Sequence, residues 1–217
     1  MKCREKLPYQ TFPGIFSSID SYSKRVTTSY FDRHGRVPKW FESLGELGRP
    51  IPVPGWSKFQ MIDEETNIRL TGVPDEILRH PKRGVWIGDY KTARFTETQD
   101  ELAPMYHVQL NSYAFIAPRI GFRPVYALAL LYYEPVTDAQ EADREFLIKD
   151  DCFFLKFSPK LKPVKLEPDI VPPLLRKVRE ICDLCEAPAG RTDCPDCSKL
   201  EMLIRGTGNV FSLPAMS

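Results

Sequence analysis

Thr71-Gly72-Val73-Pro74-Asp75-Glu76-Ile77 and Gly88-Asp89-Tyr90-Lys91-Thr92 are the two stretches on which the reading of this chain turns. The second closes a run from Val85 to Tyr90 that reads as a β-strand. Side chains alternate across a strand, so Val85, Ile87, Asp89 and Lys91 share one face and Trp86 and Tyr90 the other. A face that buries two aliphatics and then offers an acid and a lysine carries charges that are costly to bury unless paired or metal-bound. Asp75 follows a Gly-Val-Pro kink of the kind found at strand edges and bulges. If the two stretches pair antiparallel, Asp75 and Asp89 come close enough to share one divalent cation. Two carboxylates, with water and a phosphate, are a usual way of holding Mg²⁺. Lys91 beside them is placed to orient a water and to neutralise phosphate charge. Taken alone, Asp-x-Lys reads more simply as an ordinary ion pair at a strand end, with Asp75 a turn residue.

Working outward, residues 16–31 read as a helix with an apolar stripe of Ile15, Ile19, Tyr22, Val26 and Tyr30. Ser17 or Ser18 can cap it and Gly35 can stop it. Residues 36–57, with Pro38, Pro50, Pro52 and Pro54, read as an irregular loop. Strands are expected at Phe59–Ile62 and at Ile68–Leu78, the latter interrupted at Gly72–Pro74, with Asp63–Asn67 as a hairpin turn. Helical spacing returns from about Pro104 to Ile120, with Tyr106, Leu110, Tyr113, Ala114 and Ala117 on one side. Val125–Tyr133 reads as a fully buried strand and Cys152–Phe157 as a further one. A Pro/Lys linker over 159–173 then leads to a short helix ending in cysteines. The order helix, three strands, helix, two strands and tail predicts an α/β or α+β fold, a central sheet flanked by helices.

The composition bounds the function. With 217 residues, 42% apolar and 27% charged, the chain is of globular type and can bury a core without disulfides. No apolar run reaches the roughly 18 residues of a membrane span. The charged start, Met1 to Pro8, lacks the apolar core of a signal peptide, so a cytoplasmic protein with no membrane partner is expected. The net charge is only +1, which excludes a general polycation. Residues 1–58 nevertheless carry ten Lys/Arg against five Asp/Glu, a bias compatible with phosphate backbones. No Gly-x-x-x-x-Gly-Lys-Ser/Thr loop is present, so any ATP-driven partner is another chain.

On the second predicted helix, Gln109 and Tyr113 stand four apart and share a face. Gly72-x-x-Asp75, then Asp89-Tyr90-Lys91, then Gln109-x-x-x-Tyr113 resembles the PD-(D/E)XK nuclease superfamily and, within it, the RecB-like branch. That branch carries Gly-x-x-Asp, Asp-x-Lys and Gln-x-x-x-Tyr on strand, strand and helix in this order. The resemblance covers roughly residues 68–135, with a less specific match of the first helix. It implies a restriction-endonuclease-like α-β-β-β-α-β core over residues 1–165. It also implies Mg²⁺- or Mn²⁺-dependent cleavage of DNA phosphodiesters, in repair, recombination or phage DNA processing. The partners so implied are DNA and a helicase or recombination protein on another chain. By the same resemblance Asp75 and Asp89 would be metal ligands, with the Tyr90 carbonyl, and Lys91 the catalytic lysine. Gln109 and Tyr113 would support the site or touch DNA. The family commonly adds a Glu or His ligand from the first helix or just after it; Asp20, His34, Glu42 and Glu46 are candidates among which spacing does not choose. This leaves open a catalytically inactive DNA-binding or assembly module on the same fold. His107, two residues from Gln109, reads as a surface or structural histidine.

Residues 166–217 form a Cys-rich tail. Cys182-x-x-Cys185 and Cys194-x-x-Cys197 make two knuckles whose four thiolates suit one tetrahedral Zn²⁺. The alternatives are a 4Fe–4S cluster, as several RecB-like nucleases carry, with Cys3 as an early ligand, or thiols with no metal. Cys152, in Cys-Phe-Phe-Leu, reads as a buried small hydrophobe.

Overall fold

The Gly72–Pro74 interruption divides what the sequence suggested as one ribbon between two separate sheets. The computed structural model describes residues 14–92, 102–186, 188–194, 196–198 and 200–201. Cys3 lies outside the described residues. The chain divides into two compact units, Met1–Leu175 and Arg176–Ser217.

In the first unit, helix α1 (Gly14–His34) is followed by a 3₁₀ segment (Lys39–Leu44) within the expected loop. Strands β1 (Gln60–Ile62) and β2 (Arg69–Thr71) pair antiparallel as a separate two-stranded ribbon. The main sheet is built from β3 (Glu76–His80), β4 (Gly84–Lys91), β5 (Val125–Pro135) and β6 (Phe157–Val164), in that order. β3 pairs antiparallel with β4, β4 parallel with β5, and β5 antiparallel with β6. Helix α2 (Ala103–Ile116) makes the crossover between the parallel strands. The fold is α/β, a mixed four-stranded sheet flanked by helices.

The alternation read from β4 is what the sheet shows. Val85 and Ile87 pack with Leu128 and Leu130 of β5 beneath Leu110, Tyr113 and Ala114 of α2. Trp86 and Tyr90 face the other way, into a cluster with Phe41, Leu78, Leu131 and Tyr133. β4 and β5 are thus buried on both faces, as parallel strands usually are.

Three expectations are corrected. Cys152–Phe157 is not a strand; the strand is β6, inside the segment read as a linker. Phe153 is 81% exposed and Phe154 56%, so the apolar run lies on the surface. Cys152 is likewise exposed rather than buried. β6 could hide in a Pro/Lys segment because it is the edge of the sheet. Pro159 and Pro163 face Tyr133 and Ala129, four residues apart and so of equal parity. Both missing N–H groups then point away from β5. The third correction concerns α1: among its described residues the fully buried ones are Ser23 and Thr27, and Ile15 and Tyr22 of the expected stripe are 62% and 72% exposed. Ile19, Val26 and Tyr30 of that stripe are half-buried beside Ser23 and Thr27, so the buried face is centred on two hydroxyls and only part of the stripe is covered.

Candidate active site

Glu76 is opposite Gly88 in the β3–β4 register, so Asp75, one residue before β3, meets the stretch of β4 that carries Asp89. The Asp75 N–H donates to the Gly88 carbonyl at 3.1 Å, and its Oδ2 accepts the Tyr90 N–H at 2.8 Å. Two backbone-level bonds therefore lay this carboxylate along the end of β4.

Asp89 is 4% exposed. Its Oδ2 pairs with the Lys91 ammonium, and its Oδ1 accepts the Gln109 amide at 3.1 Å. The same amide nitrogen donates to the Tyr113 hydroxyl at 2.8 Å, the one-turn contact expected on α2. Tyr106, one turn earlier, puts its ring 4.3 Å beneath the Lys91 ammonium, an added attraction for the cation. Gly72 makes room for this arrangement: a Cβ there would stand 2.4 Å from Tyr113 Cε1. Burial, with the Asp75 charge beside it, pushes the Asp89 carboxyl up to about 6 against the pull of Lys91. Burial likewise pushes Tyr113 up to about 12, keeping the hydroxyl that accepts from Gln109 neutral.

No family model matches this chain, and no curated protein matches it.

The other side of the site comes from α1. Lys24 Nζ lies 2.7 Å from Asp20 Oδ2 and 2.8 Å from Asp75 Oδ1. Burial opposes the Lys24 charge, but the hydrogen bonds to Asp20 and Asp75 outweigh it and raise the ammonium's pKa. Of the four first-helix candidates, Asp20 alone is tied to Asp75, through Lys24. The His34 ring packs on Tyr30 at 4.3 Å between centroids, and Glu42 and Glu46 are exposed. α1 is held in place by a buried chain of hydroxyls. Tyr90 donates to Glu76 Oε2 at 2.8 Å, so Thr27 Oγ1, 2.9 Å away, donates to Tyr90. Burial pushes Glu76 up to about 7. Sequence reasoning missed Lys24, Thr27 and Glu76. Asp20 and Lys24 are spaced as a solvent-facing helix pair, the commonest meaning of that spacing, and neither Thr27 nor Glu76 belongs to any motif. His107 Nε2 lies 3.3 Å from Glu167 Oε2, with both side chains partly exposed.

The donor set suits a hard cation. Carboxylates on Asp75 and Asp89, with the Tyr90 carbonyl, are oxygens of the kind Mg²⁺ and Mn²⁺ take while keeping several waters. Among the described residues no group of three or more His, Cys, Asp or Glu side chains stands together as a metal cage. Among the described residues of the tail, Cys194 and Cys197 stand together. Hydrogen bonds from Cys197 lower the Cys194 pKa, favouring its thiolate, while Cys182 and Cys185 are exposed.

Proposed function

We propose that this chain is a divalent-metal-dependent DNA nuclease of the PD-(D/E)XK superfamily, RecB-like branch, with a restriction-endonuclease-like core, acting in the cytoplasm. One observation carries the reading. Asp89, Lys91, Gln109 and Tyr113, from the end of β4 and the middle of α2, form one connected polar cluster, and Asp75, one residue before β3, is laid beside it by the Tyr90 N–H between Asp89 and Lys91. A motif present only by chance in the sequence has no reason to close spatially.

In this reading Asp75 and Asp89, with the Tyr90 carbonyl, hold Mg²⁺ or Mn²⁺. The bound cation supplies Lewis acidity and a water of lowered pKa. Lys91, carried on the same strand face as Asp89, orients the attacking water and faces the charge that develops on the phosphate. Gln109 keeps the Asp89 carboxylate turned toward the site, and Tyr113 fixes the Gln109 amide. The Tyr106 ring keeps the Lys91 ammonium from swinging out to solvent. DNA is the substrate, and a helicase or recombination protein on another chain is the partner the reading implies. A Zn²⁺ held by Cys182, Cys185, Cys194 and Cys197, with 4Fe–4S as the alternative, belongs to the same proposal.

A second reading, a DNA-binding or assembly module that has lost cleavage, has one observation in its favour. Lys24 and Lys91 already neutralise the two carboxylates. One assay separates the two. Plasmid and single-stranded DNA are incubated with the protein in Mg²⁺, in Mn²⁺ and in EDTA, beside Asp89→Asn. Metal-dependent degradation that disappears in the variant supports the nuclease. Intact DNA in both metals, with DNA retained on a gel, supports the module instead.

A further inference from the structure

Lys24 sits where a cation is wanted. Asp75 has two carboxylate oxygens; one is taken by the Tyr90 N–H and the other by the Lys24 ammonium. The Tyr90 donor belongs to the strand backbone and cannot leave without breaking the β3–β4 corner. The Lys24 donor is the end of a flexible side chain, 38% exposed, on a helix surface. Asp89 repeats the pattern. Gln109, held by Tyr113, takes one oxygen and the Lys91 ammonium the other. The cluster therefore has two kinds of partner, neutral donors fixed by strand and helix and ammonium groups at the ends of side chains. A divalent cation shared by Asp75 and Asp89 needs the oxygens that the ammonium groups hold.

Lys91 has an assigned role and a second hold in Tyr106. Lys24 has no assigned role. It has Asp20 one turn back on its own helix, at 2.7 Å, which gives the ammonium somewhere to stay when Asp75 is taken from it. We propose that Lys24 is the resident counter-ion of this site, pairing Asp75 in the metal-free protein and yielding that oxygen to the divalent cation on loading. Lys24 is thus a positioning residue that sets how readily the site takes metal. The proposal rests on the metal-site reading above and deepens it.

The cost of loading is then roughly the loss of one partly exposed ion pair. At the upper end such pairs are worth about a fivefold change in an equilibrium constant. Removing the Lys24 charge should return that factor to metal binding.

The test is Mn²⁺ binding to the metal-free full chain, followed by the loss of the free-Mn²⁺ paramagnetic resonance signal, with no DNA present. Wild type is compared with Lys24→Met, Lys24→Gln, Lys24→Arg and Asp75→Asn, each checked for a cooperative thermal transition. The two neutral variants should bind Mn²⁺ about fivefold more tightly than wild type. Lys24→Arg, which keeps the charge, should stay near wild type, and Asp75→Asn should bind far more weakly. If wild type binds Mn²⁺ through Asp75 but the neutral variants bind no more tightly, the counter-ion role of Lys24 is overturned and the metal site stands. If Lys24→Arg tightens binding as much as the neutral variants, charge is not the cause and the role is again overturned. If neither wild type nor any Lys24 variant binds Mn²⁺, the metal-site reading itself fails, and the proposal with it.

Discussion

Lys91 and Asp89 are two residues apart on one strand face, and each is held from α2, Lys91 over the Tyr106 ring and Asp89 by the Gln109 amide. An ammonium held in this way is arranged for a task at one point. Lys91→Ala should therefore suppress DNA cleavage strongly while leaving DNA affinity close to wild type. The logarithmic salt dependence of binding should fall by about one unit, the share of one phosphate contact. Cleavage and affinity falling together would make Lys91 only an anchor. At this scale much of the site was legible before the fold was known. Asp89 and Lys91 share a face because strand side chains alternate, and Gln109 and Tyr113 meet because a helix turns in about four residues. Lys24 and Thr27 were not legible, because their partners are set by packing between distant segments. Thr27 and Tyr90 are 63 positions apart, and no periodicity spans that distance.

Between elements, the contact of α2 with the end of β2 depends on Gly72 having no side chain. Gly72→Ala would put a methyl within 2.4 Å of the Tyr113 ring. Something must shift, and overpacking of this kind costs roughly 1–3 kcal/mol. Urea unfolding in EDTA should show that loss, and DNA cleavage should fall with it as Tyr113 and Gln109 move. The joint between α1 and the sheet has a pH signature. Glu76 ionises at about 7 in the folded protein, pushed up by burial, against an ordinary 4.5. Between those values the folded state binds more protons than the unfolded one, so stability falls as pH rises. Asp89, raised to about 6 by burial and by Asp75, contributes in the same direction. Glu76→Gln should flatten part of that decline when melting is followed from pH 4.5 to 8 in EDTA; an unchanged slope would mean that Glu76 does not titrate there. The same joint explains a partial misreading. The stripe is a sound helical signal and its Ile19, Val26 and Tyr30 are half-buried, but the fully buried positions are Ser23 and Thr27, and Thr27 meets the buried Tyr90 hydroxyl. Pattern gave the existence of α1 and part of its face, and a hydrogen-bonded chain set the centre of that face.

For the whole chain, the two units make separable predictions. If the four tail cysteines bind metal, the purified protein should carry about one equivalent of zinc and be colourless, whereas a brown protein absorbing near 400 nm would contain iron and sulfur. Short metal-binding loops take much of their folding free energy from the ion. A strong chelator should therefore disorder the tail and leave the first unit, with its own apolar clusters, folded. Heteronuclear spectra before and after chelation would show tail resonances collapsing and sheet resonances unmoved; loss of both would refute the separation. A helix-covered sheet and the strands β4 and β5 were legible because both strands are strongly apolar. β6 was not, because an edge strand needs little apolar surface. That edge has a further consequence. A sheet margin normally offers a row of unused amide donors to any extended chain it meets, its own copies included. With Pro159 and Pro163 four residues apart on β6, two donors in that row do not exist, and Lys160 and Lys162 bring charge between them. The outer margin of this sheet is thereby closed to fibre-like stacking and to recruitment of a fifth strand, so concentrated protein should resist the growth of ordered aggregates from this side.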